Sequence, residues 1–497
     1  MMISIFKVTT TGAPMKSITT TTFALTLALV GCGDQAEPAD VDATSPDAAS
    51  PDAAIPDAPP PDGPAPFVPP TPFAVPLSAA GPDQLQSAAA GPGGTFFAAG
   101  YAAATLTGPR MVTVIHTSTT GPVAGFGTGG VATLPLTFRG GASEVDVAVQ
   151  STGKVIVTAT VANAANPNDR DVAIARLNAN GTLDASFGDN GVRILDWSTA
   201  HDNAGTLVGF DGVRAVAIGA DDAIYLHGFA RAAGTTSGGA PRTDTDFVVG
   251  KLTADGAVAS SFGTDGRFAL DLQQVNATPH ALVVLPDGSL LAGGYANTPG
   301  LGSVQVVLFK LSATGALVPG FATGGVFHDL VLAAQTEIYG LALHGTHVVT
   351  AGYGRPSGDT NDWVSLRFDV ATGARDLTWG GATNGAVLID PTGQMVADNC
   401  RTGVALPGGA TLLVGSAGPA NLPAQDAAYA ILDATGRLDT RYGDGAHTTA
   451  LGANGNDQFW GAAVSGDHAL LVGYQGGGAT PTATTNDDAF GLLLPLR

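Results

Sequence analysis

Five aspartates recur at one place in the internal pattern of this chain. Asp171, Asp246, Asp362, Asp426 and Asp488 each open an apolar segment of strand length, and the two remaining copies of that segment open with Arg110 and Gln305. On a rotationally symmetric ring, carboxylates at equivalent positions lie on a circle and could offer oxygen ligands to Ca²⁺. The competing reading is local: a short acidic side chain at a strand entry bonds its own backbone, and equivalent positions of separate sheets lie too far apart to share one ion. The expectation is therefore no cofactor, with calcium at these aspartates as the metal the pattern leaves open.

Other chemistry is sparse. The tracts GDNG (188–191), GTDG (263–266) and GDG (443–445) lack the alternating acidic ligands and closing Glu of a calcium loop, and turn formation accounts for them. His344 and His347 flank a hairpin turn instead of sharing a helix face, a poor zinc arrangement. No nucleophile elbow, phosphate-binding loop or paired-cysteine metal motif occurs, so no catalytic residue is assigned. Cys400 has no His or Asp at motif spacing and reads as a structural thiol. A net charge of −21 gives no footprint for nucleic acid and marks a soluble, exported surface.

The elements that would position any site are short strands. Charged residues make up 13% of the chain while Gly reaches 69, and Val, Ala, Leu and Thr dominate the segments between turns. Six aromatic residues, Phe126, Phe187, Phe262, Phe321, Trp379 and Tyr442, follow Gly-containing turns at intervals of 61, 75, 59, 58 and 63 residues. Such self-similarity signals an array of one supersecondary unit. The second copy reads VATLPLTF, EVDVAVQ, KVIVTATV, DVAIARLN and then ANGTLDASFG, each segment of strand length and composition. A Gly stands six residues before each of the last five aromatics (Gly181, Gly256, Gly315, Gly373, Gly436). This fixed spacing implies a shared turn that plugs the ring into the seam between neighbouring sheets.

Phe73 to about Gly125 carries the same pattern without its own aromatic, which makes seven units. The expected fold is all-β: a seven-bladed β-propeller of four-stranded antiparallel sheets, with blades at about 73–125, 126–186, 187–261, 262–320, 321–378, 379–441 and 442–497. A closed ring is preferred to an open stack because neither end carries a polar capping repeat. The stretch DVAIARLNANGTLDASFGDNGV resembles the delta-60 repeat, a bacterial unit of about this length. The resemblance implies a propeller, and it supplies no catalytic residues.

Before the array lie two further segments. Lys16 and the apolar run Phe23 to Val30 precede Leu29-Val30-Gly31-Cys32, which looks like the lipobox of a bacterial lipoprotein, with residues 1–31 as signal peptide and Met15 as an alternative start. That resemblance implies a lipid on Cys32 and a place in the cell envelope, at the outer membrane, because Gly33 is not the Asp associated with inner-membrane retention. Residues 32–72 hold eight acidic residues, no basic ones, and recurrent Pro, the composition of a disordered tether reaching on the order of 100 Å.

The loops between the third and fourth segments of each unit vary in length and content while the strands keep register. In a propeller they emerge on one face, which makes this rim the expected recognition surface. The expected function is a non-catalytic, lipid-anchored propeller that binds a protein or polysaccharide through these loops. An enzyme with its site at the channel mouth, as hydrolase, lyase or oxidoreductase, and a structural spacer are the alternatives.

Overall fold

A computed structural model describes residues 66–497 except 164, 167–168, 199, 201–208, 357–359, 394–396, 419–424, 444, 450, 452–455 and 477–486. The signal peptide, Cys32 and nearly all of the expected tether lie outside these residues. The described chain forms seven antiparallel blades arranged as a β-propeller, the fourth and fifth joined edge to edge by a parallel pairing of Val304 with Gln335.

Blade 2 shows the plan. Its inner strand, Val145–Val149, pairs with Val155–Ala162, then Arg170–Leu177, then Val192–Leu195 at the periphery. The second and third strands are almost wholly buried, as expected where both faces of a sheet are covered by neighbours. The inner strands of the other blades are Asp83–Ala90, Asp211–Ile218, Ala277–Val284, Gly340–His344, Asn399–Ala405 and Gln458–Ser465. Each touches the next, and Gln458–Ser465 touches Asp83–Ala90, so the circle is complete.

The apolar cores are seams, one per pair of neighbouring blades. Phe97 and Val114 of blade 1 pack with Val157 and Ala175 of blade 2. Equivalent clusters fill the remaining six junctions, the last joining Leu470 and Val472 of blade 7 to Leu85 and Phe96 of blade 1. The six aromatic anchors are all buried, each in the seam between its own blade and the next. Burying such a ring contributes about 1.5–3 kcal/mol.

The anchors also explain the fixed Gly. The turn Gly of each following blade lies against the ring: a Cβ added at Gly256 would come within 2.5 Å of Phe187, and one at Gly436 within 2.6 Å of Trp379. Both glycines hold positive φ, 84° and 86°. The backbone therefore needs Gly for its conformation and for its closeness to the ring.

Two expectations are corrected. The strand after each anchor does not open a new blade: Val131–Thr137 pairs with Arg110–Ser118 of blade 1, and Val192–Leu195 with Arg170–Leu177 of blade 2. The anchor sits in the turn between third and fourth strands, before the chain leaves the sheet, so each blade border falls one strand later than the sequence pattern places it. For the same reason the segment beginning at Phe73 does not belong to blade 1. Phe73–Ala74 pairs with Asp488–Pro495 and supplies the fourth strand of blade 7. At the seam before this closure, the Tyr442 hydroxyl accepts a hydrogen bond from the Arg497 N–H at 2.7 Å, and Phe67 meets the Tyr442 ring edge-on.

Candidate functional site

Inner strands begin on the same face as the loops joining second to third strands and the crossings between blades. On that face six blades turn one large side chain toward the axis. In blades 1, 3, 4, 6 and 7 a β-bulge lies at Gln86, Arg214, His280, Arg401 and Trp460, each skipped by the strand register. Tyr339 takes the equivalent place in blade 5, its N–H bonding the Ala351 carbonyl. A bulge leaves one residue unpaired and re-aims its side chain. Around a ring, the same irregularity repeated makes a constellation.

Blade 2 has no bulge, and its neighbours compensate. The Gln86 amide oxygen accepts the Glu144 and Val145 N–H groups at 3.2 and 3.1 Å. The Asp146 carboxylate accepts the Val216 and Val147 N–H groups and the Ser87 hydroxyl, tying the inner strands of blades 1, 2 and 3 together. Burial pushes the Asp146 carboxyl up to about 6, against the pull of these hydrogen bonds.

The result is a polar cavity of about 140 Å³ whose walls include residues from all seven blades, among them Gln86, Asp146, Arg214, His280, Tyr339 and Arg401. Arg401 is its most unusual member. The guanidinium lies 4.4 Å from the Trp460 ring centre, 5.3 Å from that of Tyr339 and 5.5 Å from that of Tyr353. Among the described residues it makes no ion pair, and its Nε has no hydrogen-bond partner. Burial works against its charge, but Tyr339, Tyr353, Tyr474 and Glu337 outweigh burial and keep it protonated. Arg214 is anchored, by the Ala142 carbonyl, the Ser143 hydroxyl and Glu144 at 3.0–3.3 Å, while its own Nε is also unpartnered. The Trp460 indole N–H lacks a partner of good geometry, although the Tyr474 hydroxyl lies near enough to feel it.

His280 completes the set. Its ring lies 3.8 Å from that of Tyr339, its Nδ1 is 3.4 Å from the Ser143 hydroxyl, and its Nε2 has no partner. Burial, with the Arg214 and Arg401 charges adding, holds the imidazole neutral well below its ordinary range. Glu337 lies behind Tyr339 and Tyr353 with one carboxylate oxygen unpartnered, its carboxyl raised by burial. The free groups facing the cavity are mostly N–H donors, which call for an acceptor, and a negatively charged one best.

Part of the chain matches a known family. A sequence profile described as a domain of unknown function (DUF5122) beta-propeller matches residues 150–187. No curated protein sequence matches the chain. Among solved structures, the chain is similar to the β-propeller domain of the Trilobed protease from Pyrococcus furiosus, at 8% identity and TM-score 0.41 over 84% of this chain and 97% of that one. It is also similar to the polysaccharide lyase Uly1, at 10% identity and TM-score 0.44 over 84% and 91%. A protein of unknown function from Dyadobacter fermentans is similar at 10% identity and TM-score 0.41 over 87% and 99%.

The residues singled out in the sequence lie elsewhere. Asp171, Asp246, Asp362, Asp426 and Asp488 stand at the starts of third strands in five different blades, and no two of them share a carboxylate group. His344 and His347 end a hairpin on the opposite face, where the His344 Nε2 meets the Thr411 hydroxyl at 2.9 Å. Cys400 is fully buried and unpaired, and burial pushes its thiol up to about 12. The variable loops share the face of the cavity, though parts of four of them lie outside the described residues. A larger cavity, about 400 Å³, opens at the closure seam beside Phe73, Pro76 and Leu493, but its lining is mainly apolar and His116 is its one titratable side chain.

Proposed function

We propose that this protein is a lipid-anchored envelope propeller that binds an acidic polysaccharide, taking one carboxylate- or sulfate-bearing sugar into the mouth of its channel. The carrying observation is Arg401: a guanidinium caged by Trp460, Tyr339 and Tyr353, with no ion pair at contact distance among the described residues and only the more distant Glu337 carboxyl acting on its charge. Such a group is ready for a charge-assisted hydrogen bond to an oxyanion, and flat rings beside it suit a sugar face. The cavity is small against the several hundred Å³ usual for whole ligands, which suits a single acidic residue of a longer chain. On the same face, the described loop 232–244 offers Thr, Ser and Gly for further hydrogen bonds. Anchoring through Cys32 rests on the lipobox-like sequence and the acidic, Pro-rich segment that follows it.

The test is titration of the full chain with uronate and sulfated oligosaccharides, neutral ones and acidic peptides. Acidic sugars should bind, and Arg401→Gln should weaken them about 10- to 100-fold, the value of a charge-assisted bond of about 1.5–3 kcal/mol. Equal binding of neutral sugars, stronger binding of peptides, or indifference to Arg401→Gln would each defeat the reading.

A second reading, an enzyme at the same mouth, is favoured by one observation: the neutral His280 imidazole presents an unpartnered Nε2 beside Tyr339. A base held neutral within reach of an arginine-bound carboxylate is equipped to remove a neighbouring proton. Turnover of bound oligosaccharide that is lost in His280→Asn, with binding retained, would establish it.

A further inference from the structure

Away from the channel, the seams between blades 2 and 3 and between blades 3 and 4 repeat one acidic arrangement with different outcomes. In blade 3, Asp244 and Asp246 at the third-strand entry and Asp271 beyond the fourth strand bring carboxylate oxygens within 4.8 Å of one another. The gap between them is filled by the Arg242 guanidinium, which binds Asp271 at 2.8 Å and Asp246 at 3.2 Å and also pairs with Asp244. In blade 2 the equivalent residues are Asp169, Asp171 and Asp196, again within 4.8 Å. Here, among the described residues, no guanidinium enters. The Asn163 amide stands in its place, 3.3 Å from both Asp169 and Asp171. Arg170, the adjacent cation, is turned away onto the Phe210 ring at 3.7 Å and toward Glu144 at 3.8 Å.

A fourth carboxylate bears on the blade 2 group. Asp211 begins the inner strand of blade 3 and is fully buried. Its Oδ2 accepts the Trp197 and Ser198 N–H groups, while among the described residues its Oδ1 has no hydrogen-bond partner. Burial raises its carboxyl to about 8, and the charges of Asp196 and Asp169 push in the same direction. Asp169 and Asp171 are raised as well, by burial first and then partly by the charges of this same group. Three carboxylates thus gather, with the charge of a fourth acting on them, at a place that, one blade further on, is built around a positive charge.

We propose that Asp169, Asp171 and Asp196, with Asp211 behind them, bind one Ca²⁺ at the seam between blades 2 and 3. The oxygen-only ligands are those of a hard cation, and a mutual spacing under 4.8 Å fits oxygens at about 2.3–2.6 Å from one centre, as calcium takes them. Asp196 follows the fourth strand of blade 2 and Asp211 opens the next inner strand, so the ion pins the crossing between two blades. Arg214 of the channel mouth lies three residues beyond Asp211.

The experiment is calorimetric titration of the EDTA-treated full chain with CaCl₂, repeated for Asp196→Asn and Asp271→Asn. Both residues are exposed, so both variants should fold. Wild type should take up one equivalent of calcium, with a rise in thermal midpoint. Asp196→Asn should weaken binding about tenfold or more. Asp271→Asn should leave it unchanged, since Arg242 already occupies that group. Absence of saturable binding, or equal losses in the two variants, would overturn the assignment.

Discussion

Replacing Gly256 by Ala tests how the blades are locked together. The residue has φ +84°, and the added methyl would stand 2.5 Å from Cε2 and 2.7 Å from Cζ of Phe187. A left-handed conformation costs a non-glycine residue roughly 1–2 kcal/mol. Forcing a methyl into a packed core adds about 1–3 kcal/mol, and Phe187, fully buried among Ile156, Val172 and Leu226, has nowhere to retreat. The expected loss is therefore about 2–5 kcal/mol. Gly288→Ala separates the two contributions: φ is +79°, yet the nearest atom is the Ala313 Cβ at 3.5 Å, an ordinary contact. Only the conformational cost of roughly 1–2 kcal/mol applies there. Urea unfolding of both variants, compared at constant m-value, gives the difference directly. Adding Phe187→Leu should relieve Gly256→Ala and leave Gly288→Ala unrelieved, a coupling of about 0.5–3 kcal/mol. If the two glycine variants lose the same stability, close approach of the turn to the ring does not hold the seam and the argument for the repeated Gly fails.

Other expectations are simpler. Asp398, raised to about 8 by burial and then by Asp390 and Asp362, favours its protonated form in the folded state; stability should fall as pH rises from the ordinary carboxylate range through about 8, by up to about 1.4 kcal/mol per pH unit. Asp398→Asn should flatten that slope in denaturation measured across pH, and an unchanged slope would assign the effect elsewhere. Cys400 should resist thiol reagents at neutral pH in the folded protein and react once denatured, a contrast that labelling with and without urea reads. A chain beginning at Val75 lacks the fourth strand of blade 7 and should show a lower thermal midpoint than one beginning at Pro66, whereas equal midpoints would mean that this strand contributes little to closure. Cys32→Ala should move the protein from the membrane to the soluble fraction of fractionated cells.

The repeat was legible because it rests on backbone requirements: positive-φ glycines and buried aromatics recur at fixed spacing wherever a seam recurs. Blade borders were not, because Val131–Thr137 has the same composition whether it closes one sheet or opens the next, and only hydrogen bonding decides. The channel mouth was missed for a different reason. Gln86, Arg214, His280, Tyr339, Arg401 and Trp460 are of five residue types, with only Arg occurring twice, so a search for repeated chemistry passes over them. What they share is position: each stands five residues before the residue that opens or flanks its blade's first hairpin turn, at Gly91, Gly219, Leu285, His344, Leu406 and Ser465. A scaffold that keeps its strands alike can vary such a place freely. The five repeated aspartates drew attention by their sameness, yet each one takes its chemistry from its own seam, as the contrast between Asn163 and Arg242 shows.

The composite last blade imposes an order on assembly. Phe73 emerges from the ribosome long before Gly491, its eventual neighbour, exists. Throughout synthesis the earliest segment must wait with its hydrogen-bonding edge bare, and the wheel cannot shut until the final residues arrive. The slowest contact to form is also the one that seals the circle, which makes truncated or stalled chains the species with an open edge available for clumping.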